Sequence, residues 1–93
     1  MFKVDDYKVV FRYTRDSNKR PIATQCVVLD KTNSVIARDN AYCNPVDQFN
    51  REVGRKLALA RTLRTLFPRR DTELEYRKRF WNAYFKMRAN HNQ

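Results

Sequence analysis

The feature that most constrains this chain is a change of hydrophobic period at Asn44-Pro45. Before it, apolar residues alternate with polar ones, the two-residue repeat of a strand with one buried face. After it they recur every three to four residues, the repeat of a helix. Residues 7–14 show the first period most clearly. Tyr7, Val9, Phe11 and Tyr13 share one face, and Lys8, Val10, Arg12 and Thr14 share the other. The polar run from Arg15 to Pro21 reads as a turn. Residues 22–29 carry β-branched side chains on both faces, which suits a central strand. A turn at Lys31-Thr32-Asn33 then leads to a strand over about 34–42. Val35, Ala37 and Ala41 are expected to face in, and Arg38, Asn40 and Tyr42 to face out. Short connections make the three strands an antiparallel meander.

Beyond residue 43 the signals are helical. Asn44 can cap orphan N–H groups, Pro45 fits a first helical turn, and Asp47 adds negative charge at the positive end of the helix dipole. Phe49, Val53, Leu57, Ala60, Leu63 and Phe67 form the expected sheet-facing stripe, and Pro68 stops the helix. A narrower stripe of small residues, Gly54, Ala58, Thr62 and Thr65, would admit a neighbouring backbone, so a homodimer is one option. Thr72-Glu73-Leu74-Glu75 reads as a capping box opening a second helix, with Leu74, Trp81 and Phe85 on one line and Phe80 and Tyr84 beside it. The expected fold class is α+β: a three-stranded antiparallel sheet followed by two helices, in the order β-β-β-α-α. The strands fall within about 7–42 and the helices at about 45–67 and 72–89. The 93 residues form a single small domain.

Charge points to a partner. Twenty Lys and Arg face ten Asp and Glu, a formal +10. Residues 1–50 hold eight basic and six acidic side chains, whereas residues 51–93 hold twelve and four, so the excess is concentrated in the helical half. A local excess of one sign projects a field toward an anionic partner. Thirteen of the twenty cations are Arg, whose planar fork suits phosphate and carboxylate. The residues expected to meet that partner are Arg51, Arg55, Arg61 and Arg64 on the first helix, Arg69 and Arg70 at the corner, and Lys78 and Arg79 on the second. Arg51 and Arg55 lie one turn apart, about 6 Å, which is close to phosphate spacing along a strand. Exposed cations at this spacing hold a backbone without reading bases. The second helix is apolar over much of its circumference, and Tyr76, Phe80 and Tyr84 are the aromatics expected to face a partner.

Catalysis finds no support. The lone His91 sits in a polar tail, one glycine cannot build a phosphate loop, and two Cys with one His fall short of a four-ligand zinc site. The expectation is a protein that is not an enzyme and has no cofactor or metal. No apolar run approaches the roughly 20 residues that cross a bilayer, and no charged-then-apolar leader opens the chain. A reduced, cytoplasmic setting is therefore expected, with Cys26 and Cys43 as small apolar fillers.

The pattern Cys43-Asn44-x-x-Asp47-x-Phe49-x-Arg51-x-x-Gly54-Arg55-x-x-Ala58-Leu59-x-Arg61-x-Leu63, after a stranded segment, resembles a group of short bacteriophage and prophage accessory proteins. The resemblance covers roughly residues 7–66. It implies a protein acting in the cytoplasm of a bacterial host cell during host takeover. Two functions follow as expectations. In the first, the basic helical face binds nucleic acid, DNA or RNA, mainly through phosphates. In the second, the same face or the aromatic side of the second helix engages an acidic host protein. The chain would then act as an anti-defence inhibitor of a nucleic-acid-handling complex, in the manner of anti-CRISPR proteins.

Overall fold

A computed structural model describes residues 1–42 and 50–91, leaving aside the side chains of Arg70 and of residues 89–91. Four strands come first: β1 (Phe2–Val4), β2 (Tyr7–Arg15), β3 (Pro21–Leu29) and β4 (Val35–Tyr42). Two helices follow, α1 (Arg51–Leu66) and α2 (Arg70–His91). The strands form one antiparallel sheet in the order β1-β2-β3-β4. The fold is therefore α+β with an antiparallel sheet followed by two helices, but the sheet has four strands where three were expected. The extra strand, β1, is three residues long, too short for its alternation to register as a pattern. Phe2 and Val4 point into the core opposite Val9 and Tyr7, and Asp5 makes the tight return with a left-handed backbone (φ 54°).

The next two turns share one design. Asp16 Oδ1 accepts from the N–H groups of Asn18 and Arg20, as Asp30 Oδ1 does from those of Thr32 and Ser34. The residue three after each Asp, Lys19 or Asn33, has φ 64°. Asn tolerates that conformation, whereas Lys pays a steric cost.

β3 is central, as its apolar content on both faces implied, with Ala23, Thr24, Cys26, Val27 and Val28 all buried. Between β3 and β4 the register slips: Val28 pairs with Ala37 but Leu29 with Val35, leaving Ile36 as an extra residue. The slip turns Val35 away from the core, and it is 53% exposed, correcting the inward placement expected for it. β4 is an edge strand, and Asn40 is blocked against further pairing: its C=O accepts from Arg61 at 2.8 Å and its N–H donates to Asp39 at 2.7 Å.

α1 begins at Arg51. Asn50, with extended backbone, caps it by accepting the Val53 N–H. The start expected at Asn44-Pro45, with Asp47 and Phe49, lies outside the described residues. The helix ends at Leu66 before Pro68, and the Phe67 carbonyl accepts from the Arg77 guanidinium. α2 starts at Arg70 rather than Thr72. Glu73 still serves its entry, because its carboxylate accepts the Arg69 N–H at 2.9 Å.

The helices cover one face of the sheet, α1 lying over β3 and β4 and α2 over β1. The buried stripe of α1 is Ala58, Leu59, Thr62 and Leu63, whereas Val53 and Leu57 are 52% and 45% exposed. This corrects the expected phase. The small stripe meets the sheet because the helix comes down so close at its start that a Cβ on Gly54 would overlap the Thr24 hydroxyl and stand 3.2 Å from Thr24 Cβ. At Gly54 no side chain fits between helix and sheet, and room for residues as large as Leu59 and Leu63 opens only further along α1. α2 contributes Phe80 and Tyr84, whose rings meet Tyr7, Phe2 and Phe11. Among the described residues no helix is long and apolar enough to cross a membrane.

Candidate nucleic-acid interface

Of the eight cations expected at a partner surface, the seven with described side chains reach different places. Arg51 and Arg55 lie on the sheet-facing side of α1, in line with Ala58, Leu59 and Thr62, and project from its first turns over the end of β2. Arg51 stacks on the Tyr13 ring at 5.1 Å. Arg55 donates to the Tyr13 hydroxyl at 2.9 Å, to Tyr84 at 3.5 Å and to Glu52 at 3.1 Å. Arg61 is held at the β4 edge. Arg64 and Arg69 are exposed, with no side-chain partner among the described residues. Lys78 and Arg79 lie on α2, paired with Glu75 at 3.5 Å and with Asp5 at 3.2 Å. Arg70 opens α2, and its side chain lies outside the described residues.

Glu52 organises the first group. Its Oε2 accepts from Tyr84 at 2.9 Å and from Arg55, while its Oε1 faces Arg88 Nε at 3.3 Å and Lys56 Nζ at 3.5 Å. Burial pushes the Glu52 carboxyl up. Hydrogen bonds from Tyr84 and Arg55, the Arg88 charge and Lys56 outweigh it, so Glu52 titrates below its ordinary range. Burial would likewise favour a neutral Arg55, but the Tyr84, Tyr13 and Glu52 contacts override it and fix the charge. Burial, foremost, raises the Tyr84 hydroxyl. One carboxylate and two phenols thus hold Arg55 inside the protein, where it ties α1 to α2 and to β2. Its chemistry is that of a packing element.

Of the expected outward aromatics, Phe80 and Tyr84 are core residues, 2% and 0% exposed, and so correct that placement. They occupy the helix line that meets the sheet; Leu74 and Phe85 lie on the adjoining, exposed line. Tyr76 is half exposed and stacked on Phe67 at 5.4 Å.

The sheet face opposite the helices carries a different set of cations. Strand register places side chains there in rows: Lys3, Lys8, Leu29 and Val35; then Val10, Val27 and Arg38; then Arg12, Gln25 and Asn40; then Thr14, Ala23 and Tyr42. Among the described residues no helix crosses this face. Four strand positions on it are cationic and none is acidic, because Asp39 has the opposite parity and points toward Cys26 on the helix side. Lys3 stands directly opposite Lys8. Lys3, Arg12 and Arg38 are exposed without a side-chain partner among the described residues, and Lys8 reaches only Asn33 at 3.5 Å.

Alternation had placed Lys8, Arg12, Arg38 and Tyr42 on the outward face, so the signal for this surface was present. The net charge of residues 1–50 concealed it, since their six carboxylates cancel most of the basic charge in a count. The described ones lie in turns or on the other face. Among the described residues no group of His, Cys, Asp or Glu is arranged to hold a metal ion. Cys26 is buried in the sheet, and burial pushes its thiol up to about 11, which leaves it protonated and unreactive at neutral pH. No protein-family model, curated protein or solved structure matches the chain.

Proposed function

We propose that this protein binds nucleic acid through phosphate contacts and that the sheet face crossed by no helix among the described residues is the contact surface. The observation that carries this reading is the Lys3–Lys8 pair, directly opposed across β1 and β2, with Arg12 and Arg38 on the same face and no acidic strand position there among the described residues; Asp5, Asp6 and Asp30 lie in the turns at the lysine end of the face. Like charges opposed across strands are destabilising. A polyanion laid over the face removes that repulsion and releases its own counterions. Arg64 and Arg69 on the helical side add to the long-range field that draws a polyanion in. No cofactor enters this reading.

A salt titration tests it. The slope of log K against log salt is about −0.7 for each phosphate neutralised on a single strand. Four cations therefore give roughly −3. Absence of binding to DNA and RNA at low salt, or a flat slope, refutes it.

A second reading, a protein-binding inhibitor of a host complex, draws on one observation. Val53, Leu57, Leu74 and Phe85 are all exposed on the helical side of the molecule. Binding to a purified protein partner that survives nuclease treatment, is lost with Leu57→Asp and is kept with Arg12→Gln would belong to that reading.

A further inference from the structure

The third and fourth rows of the open face contain groups that phosphate contacts alone leave without a role. Tyr42 is 73% exposed, more than any other aromatic among the described residues, and its ring touches no other ring there. Aromatic rings are ordinarily placed to bury their faces. Beside it, Gln25 and Asn40 are half-buried between Arg12 and the β4 edge. The backbone of Asn40 is fully engaged, but its side-chain amide, like that of Gln25, makes no hydrogen bond among the described residues. Neither amide is sealed from water, so both remain available to donate to and accept from a partner. Three polar side chains in register across three strands, Arg12, Gln25 and Asn40, form a ladder of donors and acceptors with a stacking surface at one end.

From these we infer, resting on the nucleic-acid reading above, that the open face takes single-stranded rather than duplex nucleic acid. A base stacks on Tyr42, base edges meet Gln25 and Asn40, and the backbone is held by Arg12, Arg38, Lys8 and Lys3. A duplex hides its base faces inside its own stack, so the Tyr42 ring would find no base to stack on, and its major groove, about 12 Å wide, admits a two-stranded ribbon rather than a four-stranded sheet whose amides lie in the middle. A single strand presents both the face and the edge of each base, and base–aromatic stacking tolerates any sequence. The dimensions agree. Rows lie about 6.7 Å apart along the strands, and strands about 4.8 Å apart, so Tyr42 and Lys3 are separated by roughly 25 Å. That path suits a short run of nucleotides, in keeping with the roughly 4–16 covered by single-stranded-binding domains of similar size.

Fluorescence anisotropy with labelled 12-nucleotide probes decides this. The probes are single-stranded RNA, single-stranded DNA and the corresponding DNA duplex, with heparin as a polyanion that has charge but no bases. Tighter binding of at least one single strand than of the duplex or heparin is expected. Tyr42→Ala should weaken it roughly 5- to 150-fold, the range that loss of one stacked base gives, while Tyr42→Phe, which keeps the ring, should bind as the parent does. Gln25→Ala should weaken single-strand binding without changing its salt slope, and far-ultraviolet circular dichroism verifies that each variant is folded. Equal affinity for duplex and single strand, with Tyr42→Ala unchanged, overturns the inference and leaves phosphate binding standing. Heparin binding as tight as that of the single strands overturns base recognition as well. Failure of every nucleic acid to bind at low salt removes the parent reading instead.

Discussion

Replacing Gly54 with alanine sets two effects of opposite sign against each other. On helix propensity alone the change is worth about 1 kcal/mol in favour of the variant. Against it, the new methyl would overlap the Thr24 hydroxyl oxygen and stand 3.2 Å from Thr24 Cβ. Thr24 is fully buried on the central strand and cannot swing away. Overpacking of a tight core costs about 1–3 kcal/mol, and the upper part of that range applies because the clash is with a rigid, β-branched side chain. The net expectation is a loss of about 1–2 kcal/mol, or roughly 5–15 °C in Tm for a domain of this size. Thr24→Ala gives the control. It removes the clashing oxygen, which itself has no hydrogen-bond partner among the described residues. The variant should therefore lie within about 1 kcal/mol of the parent, since relief of an unsatisfied polar atom offsets the lost methyl. In the Thr24→Ala background, Gly54→Ala should cost at least about 1 kcal/mol less than it does alone. Urea denaturation of the four proteins measures the cycle. Additivity within about 0.5 kcal/mol, or a higher Tm for Gly54→Ala alone, would refute the claim that α1 meets the sheet through its small stripe.

Lys19→Gly should raise stability by about 0.5–1 kcal/mol, because Lys19 holds a left-handed backbone that glycine adopts freely; thermal melting reads it, and a lower Tm contradicts the turn geometry. Glu52 is an acid-side stabiliser. Its folded-state pKa lies below its ordinary 4.5, so its contribution is present in full above that value and is lost as pH falls through the depressed one. Unfolding free energy measured from pH 7 down to pH 2 should decline more steeply below about 4.5 in the parent than in Glu52→Gln, and parallel curves would show that the Arg55, Arg88 and Lys56 contacts do not act on it. In a Cys43→Ser background, Cys26 should resist alkylation at neutral pH until the protein unfolds, as a thiol raised to about 11 inside the sheet must; fast labelling under native conditions would contradict its burial.

Much of the fold was legible because β2 and most of β4 follow two-residue alternation, β3 is apolar on both faces as a central strand is, and the helices follow their own period. β1 was not legible, since three residues cannot display a period and its evidence is the pairing of Phe2 with Val9. The face of α1 was misplaced for a physical reason. A pattern weighs residues by hydrophobicity, whereas a helix settling close to a sheet selects for small size, and Gly54 and Ala58 outcompete Val53 and Leu57. The same rotation turned Arg55 from an expected surface contact into a cation held by Glu52, Tyr13 and Tyr84, a network joining residues 42 positions apart that no local spacing encodes. The cationic sheet face was visible as parity, but only the register between strands brings Lys3, Lys8, Arg12 and Arg38 onto one surface.

The most direct measurement is therefore a titration of isotopically labelled protein with a short single-stranded oligonucleotide, followed by side-chain nuclear magnetic resonance. Signals from the Arg12 and Arg38 Nε–H groups, the Gln25 and Asn40 amides and the Tyr42 ring should move together and saturate at one affinity, while those of Arg64 and the Leu57 and Phe85 side chains stay in place. Movement confined to the helical side, or no movement at all at low salt, would contradict the assignment of the open sheet face as the binding surface.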